Sequence, residues 1–174
     1  MKFADIPQIS QPVYSVHHFL HTLPSTIKKY QEEHLCPLNL EPDFQRIHVW
    51  TPKQQSRYIE FILSGGNSSK DFYFNCPGWQ GSYDGPFELV VGKQRLTACL
   101  DFMAGKVPVF RGLYISDFVD KPFDVHLCFH VNNLKTRREV LQWYLDINSG
   151  GTIHTEDELN KVRVLLTKEI QHNE

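Results

Sequence analysis

Apolar positions along the chain change their period several times, and each change marks an expected element. Val16, Phe19, Leu20 and Leu23 recur at helical spacing, Pro24-Ser25 interrupts them, and Ile27, Tyr30, His34 and Leu35 resume the pattern. This spacing predicts two short helices. The stretch from Cys36 to Asp43 holds Pro37 and Pro42 and cannot be a regular helix. Thr51-Pro52 is an N-cap with proline in the first helical turn; it opens a helix with Tyr58, Ile59, Ile62 and Leu63 on one face and a stop at Gly65-Gly66. Phe72 and Phe74 alternate around Tyr73, as in a strand over 71–75. Cys76 to Pro86, rich in Gly and Pro, is a structured loop, and Phe87 to Val91 is a compact apolar strand.

That strand runs into Gly92-Lys93-Gln94-Arg95, after which Leu96, Cys99, Leu100 and Met103 follow at i, i+3, i+4 and i+7 in a helix that ends at Gly105. Further strands are expected over 107–114 and 125–131. Val140, Leu141, Tyr144 and Leu145 share a helix face that ends at Asn148-Ser149-Gly150-Gly151. Thr155 and Glu158 have the spacing of a capping box for a last helix bearing Leu159, Val162 and Leu166. Nothing repeats, and no linker divides the chain. The expectation is one α+β domain over 1–174 with a helical C-terminal part.

Composition agrees with a packed domain. The 174 residues are 41% hydrophobic and 13% aromatic, enough for one core. No apolar run approaches the roughly 18–20 uncharged residues of a membrane span. The N-terminus lacks a basic start followed by an apolar segment, so a cytoplasmic protein with no membrane partner is expected. Cys36, Cys76, Cys99 and Cys128 form no Cys-x-x-Cys pair and are expected to be free thiols. A formal net charge of −2 argues against coating nucleic acid by bulk electrostatics and leaves room for a local basic site.

The junction at Gly92 is the feature closest to chemistry. A strand that ends in glycine and opens a helix presents free backbone N–H groups and the positive end of the helix dipole, which together favour an anion. Lys93 and Arg95 would add charge-assisted hydrogen bonds to phosphate. The motif alone is short, and an ordinary strand-to-helix turn with solvated basic residues is the commoner outcome.

Four blocks in order give the junction a context. Leu40-Glu41-Pro42-Asp43-Phe44-Gln45-Arg46 is followed by Val49-Trp50 and by Gln54-Gln55 opening a helix that ends Leu63-Ser64-Gly65-Gly66. Then come Tyr73-Phe74-Asn75-Cys76-Pro77-Gly78-Trp79, Gly92-Lys93-Gln94-Arg95-Leu96, and Asn148-Ser149-Gly150-Gly151-Thr152 leading to Glu158-Leu159. Over nearly its whole length the chain resembles the N-terminal domain family of GmrSD-type restriction endonucleases, in the ParB/sulfiredoxin-like superfamily.

The resemblance implies a ParB-like mixed sheet with surrounding helices, in which the Gly-x-Gln-Arg turn binds nucleotide phosphates. It implies a nucleoside triphosphate, with or without Mg²⁺, held by Gln45, Arg46, Gly92, Lys93, Gln94, Arg95, Asn148, Gly150 and Gly151. Larger relatives of this kind control an HNH-type nuclease that acts on modified DNA. The implied setting is DNA restriction and defence, or phage counter-defence, with DNA and a nuclease or other defence-system protein as partners.

Two departures temper this. Val91 stands where the family usually has Asp, which removes the obvious catalytic carboxylate and leaves binding with weak or absent hydrolysis. The sequence runs to Glu174, just past the last helix, so no attached nuclease domain is expected. A non-enzymatic DNA-binding or adaptor protein on the same scaffold, and a ParB-like nuclease, are the alternatives.

Other motifs are weaker. His126, Cys128 and His130 share a strand face and offer nitrogen and sulfur to a zinc ion, but no fourth ligand is evident and a plain strand is the commoner reading. His17 and His21 stand at i, i+4 on an expected helix without the Glu of a His-Glu-x-x-His motif. Ser64 to Lys70 fails the phosphate-loop pattern and reads as a helix end and polar loop. Trp50, Trp79, Tyr83 and Phe87 would stack a base or, more commonly, pack the core, and Lys135, Arg137 and Arg138 form a small basic run.

Overall fold

A strand buried at successive positions must be covered on both sides. Strand β4 (Phe87–Val91) has Phe87, Glu88, Leu89 and Val90 all buried. Around it the computed structural model describes residues 2, 5–32, 36–82, 84–119, 124–149 and 156–172. The other elements are β1 (Tyr14–Phe19), α1 (Leu23–Glu32), β2 (Leu38–Asn39), α2 (Pro52–Leu63), β3 (Asp71–Asn75), α3 (Lys93–Met103), β5 (His126–Asn132), α4 (Arg137–Ser149) and α5 (Glu156–His172). Five strands form one mixed sheet in the order β1-β5-β3-β4-β2. The pairs β1–β5 and β3–β4 are antiparallel, and β3–β5 and β2–β4 are parallel. The coarse expectation of an α+β domain with a mixed sheet and surrounding helices holds.

Alternation in the strands sorts the core. Phe72, Phe74, Leu89, Leu127 and Phe129 turn to one face and pack against Leu23 and Ile27 of α1, Ile59 and Ile62 of α2, and Leu96, Cys99 and Phe102 of α3. On the opposite face Val90 and Phe44 meet Val140, Leu141, Trp143 and Tyr144 of α4 and Leu159 and Val162 of α5. Buried Asn75 has specific partners. The Asn75 side chain donates to Leu134 O and accepts from Leu134 N, tying β3 to the segment after β5. Helix α2 starts in a capping box: Thr51 accepts from Gln54 N, and the Gln54 side chain accepts from Thr51 N.

Two expectations need correction, at 16–23 and at 107–114. Val16 and Phe19 lie in β1, not a helix; alternate residues of this strand point inward, and the i, i+3 coincidence conceals a period of two. A short 3₁₀ turn, Leu20–Thr22, then leads into α1, where Pro24 occupies the first turn and needs no N–H partner. One helix therefore replaces two, and His17 belongs to a strand, so His17 and His21 share no helix face. The segment 107–114 forms a tight loop closed by an isolated Val109–Leu113 bridge, because Phe110, Arg111 and Gly112 take positive φ angles of 44°, 68° and 110° that no strand allows. Within 36–43, Leu38–Asn39 adds a two-residue edge strand to β4. His34, Leu35, Tyr83, Gly150, Gly151 and Thr155 lie outside the described residues, and with them the capping box at Thr155.

Two predictions follow the packing. Phe129, 1% exposed beneath the helices, is expected to cost about 3–5 kcal/mol on Phe129→Ala, read as a lowered urea midpoint. Burial pushes the Glu88 carboxyl above its ordinary range, although Arg137 opposes the shift. A raised native value makes ionisation destabilising as pH rises through it, so Glu88→Gln is expected to be more stable than the native chain at pH 7. That advantage is expected to disappear as acid protonates Glu88, which urea titrations at several pH values would show.

Candidate functional site

Glycine at 92 is required by two local facts. Its φ is +113°, and a Cβ built there would lie 2.7 Å from the Phe72 ring. Strand β4 can therefore turn into α3 while Phe72 of β3 lies flat against the turn. Arg95, one turn into α3, places its guanidinium 5.5 Å from the centre of the same ring, within cation–π range. Phe72 thus contacts both the turn and the cation.

The turn opens on a cavity of about 490 Å³. Gln45, Arg46, Gly92, Lys93, Gln94, Arg95 and Asn148, which come from three separate parts of the sequence, all line it. Gly150 and Gly151 are outside the described residues. Lining residues that sequence reasoning did not assign to this site include Tyr58, Ser69, Asp71, Tyr73, Tyr144 and Ile147. Period-two alternation carried part of that signal: with Phe72 and Phe74 turned to the core, Asp71 and Tyr73 must face the other way. Tyr144 and Asn148 follow from helical spacing, and the Asn148 amide donates to Tyr144 O at 2.7 Å.

Gathering these residues does not give them one job. Gln45 Nε2 donates to Leu89 O at 2.9 Å and Val90 O at 2.5 Å, supplying the edge of β4 beyond the two residues that β2 pairs. The Gln94 side chain accepts from Val49 N and Trp50 N and donates to Ile47 O, clamping the 47–50 segment onto the start of α3. Both amides are engaged with backbone, so they shape the cavity wall. Lys93 Nζ, 9% exposed, pairs with Glu41 at 2.9 Å, and that hydrogen bond holds the Glu41 carboxyl below its ordinary value. Arg46 faces Glu158 of α5 at 3.6 Å. Among the described residues, no carboxylate pairs with Arg95.

Aromatic groups complete the wall. Trp50 meets Tyr58 edge-on at 5.6 Å, and Tyr58 donates its hydroxyl to Ser69 O. Burial pushes the Tyr58 phenol strongly upward and Tyr144 up to about 12, so both remain neutral donors. The expected aromatic group divides: Trp79 packs 5.4 Å from buried Phe87 on the core, while Trp50 lines the cavity. Arg137 of the basic run is held by Asp43 at 2.5 Å and Glu169 at 3.4 Å. Val91 lines the cavity, as does Asp71, itself bonded to His130 at 2.8 Å.

The turn's demand for glycine is testable. Gly92→Ala forces an alanine into a positive-φ position against Phe72 and is expected to cost about 1–3 kcal/mol in urea unfolding. The four cysteines form no disulfide, and no helix among the described residues is long and apolar enough to cross a membrane. Compared with known proteins, the chain matches no family model, no curated protein and no solved structure.

Proposed function

We propose that the chain is a nucleotide-phosphate-binding domain of the ParB/sulfiredoxin-like, GmrSD-type kind, taking a nucleoside triphosphate at the Gly92 turn. The observation that carries this reading is Arg95: it stands in the first turn of α3, on the cavity wall, with no carboxylate partner among the described residues. A phosphate there would meet the free N–H groups at the start of α3, the Arg95 guanidinium and Arg46 from the opposite wall. Trp50 and the cavity tyrosines offer flat surfaces to a base.

Hydrolysis is weak or absent in this reading. Val91 brings no acid to the turn, and Asp71 is engaged with His130. Any Mg²⁺ arriving with the nucleotide would be held chiefly by phosphate and water, as this cation tolerates well. The setting in restriction or counter-defence, in the cytoplasm and beside a nuclease or another defence protein on DNA, rests on the family resemblance alone.

A second reading, an adaptor or DNA-binding protein without nucleotide chemistry, is favoured by one observation. Two of the three cations on the wall are already paired internally, Lys93 with Glu41 and Arg46 with Glu158.

Thermal denaturation separates them. With CTP, GTP, UTP or ATP and Mg²⁺ at millimolar concentration, at least one is expected to raise the melting temperature, since a ligand at 100 times its Kd adds about 2.7 kcal/mol. Arg95→Ala is expected to abolish the shift. No shift with any of the four would leave the adaptor reading standing. If binding is seen, Val91→Asp is expected to increase phosphate release, and an unchanged rate would show that Val91 is not what limits hydrolysis.

A further inference from the structure

Helices α4 and α5 cover the sheet near β4 and leave the same face open toward β1. Strand register decides which side chains meet there. Asp71 of β3 stands opposite Cys128 of β5 in the parallel ladder, and Tyr73 stands opposite His130. From the antiparallel side, Ser15 of β1 is paired with His130 and His17 with Cys128. One carboxylate oxygen, one sulfur and one imidazole nitrogen, from Asp71, Cys128 and His130, all lie within 4.8 Å of one another.

We propose that Asp71, Cys128 and His130 form a binding site for a divalent transition metal of the zinc class, with a fourth position open to solvent. The donor set selects the ion: sulfur and imidazole nitrogen suit zinc and its neighbours, whereas magnesium and calcium prefer oxygen alone. Charge selects it too, because a carboxylate, a thiolate and a neutral imidazole together neutralise a dication. Zinc bonds run about 2.0–2.3 Å, so tetrahedral ligand atoms stand closer than the present limit of 4.8 Å, and the three half-buried side chains need only close inward.

The imidazole is already held in the orientation a metal would need. Its Nε2 points at Asp71 Oδ1, 2.8 Å away, and its Nδ1 lies 2.7 Å from Ser15 Oγ. The Tyr73 ring stacks on it with centroids 4.8 Å apart and planes 21° from parallel. When Nε2 binds the ion, the ring proton moves to Nδ1, where Ser15 Oγ accepts it. Such a partner on the other ring nitrogen is the usual companion of a metal-bound histidine. The Cys128 thiol proton leaves to solvent as the sulfur–metal bond forms, one proton per ion. The site is distinct in chemistry from the Gly92 turn and does not depend on nucleotide binding. Asp71 belongs to both, which places the ion at the rim of the cavity.

Cobalt is the probe that reports sulfur directly. The full chain, stripped with chelator and carrying no histidine tag, is titrated with Co²⁺ and then with Zn²⁺. One Co²⁺ per chain is expected, with a near-ultraviolet thiolate-to-cobalt charge-transfer band that Zn²⁺ removes. Cys128→Ser is expected to abolish the band, Cys36→Ser to leave it, and His130→Ala and Asp71→Asn to weaken affinity by about 10-fold or more. Far-ultraviolet circular dichroism confirms that each variant is folded. Should His130→Ala or Asp71→Asn fail to fold, the partly exposed Cys128 gives the deciding comparison. A native chain without the band, or a folded Cys128→Ser chain that keeps it, overturns the proposal.

Discussion

Burial of β4 on both faces is the constraint from which the rest of the molecule is arranged. Phe87 and Leu89 face α1, α2 and α3, while Val90 faces α4 and α5. A strand of five residues cannot bury both faces unless its backbone is fully hydrogen-bonded, since each unpaired buried amide or carbonyl costs about 1–3 kcal/mol. Strand β3 supplies one edge, and β2 supplies two residues of the other. Past that point Gln45 takes over with a side-chain amide, so a glutamine does the work of the missing strand.

The same economy shapes the cavity beyond β4. Because α3 must start close to Phe72, the turn is glycine, and because Gln94 is spent on three backbone groups of the 47–50 segment, that segment is fixed as a wall. Arg46 reaches the cavity as a consequence, being next to Gln45 in sequence and on the way to that wall. Buried polar side chains here carry structural duty, and charges beside them inherit their positions. Satisfied networks of this kind favour one arrangement over alternatives, since a partly satisfied one is worse than an apolar core.

Charge on the wall is unevenly spent. Lys93 and Arg46 are balanced by Glu41 and Glu158, whereas Arg95 rests on an aromatic face. Glu41 is largely exposed, so its pairing with Lys93 is weakly held and screened by water. An arriving anion would compete with Glu41 at little cost in desolvated charge. At the other end of the sheet, helix coverage stops before β1, and histidine, cysteine and aspartate that a second layer would have excluded stand together on the open face.

Period and punctuation in the chain determined most of the elements. The alternation at Phe72 and Phe74, the Thr51-Pro52 start, the largely apolar run of β4 and the helical spacing after Gly92 each depend on a few neighbouring residues, and local sterics fix their outcome. Where two periods coincide, local pattern fails: Val16 and Phe19 fit a helix by spacing, yet pairing with β5 across more than a hundred residues makes them a strand. The loop at 107–114 failed for a related reason, since its valines are buried at a bend with left-handed backbone. Sequence blocks also marked Gln45, Arg46, the Gly92 turn and Asn148, but not what each does. That Gln45 and Gln94 bond backbone, that no carboxylate among the described residues pairs with Arg95, and that Asp71 meets Cys128 and His130 were decided by strand order and register, which long-range packing sets.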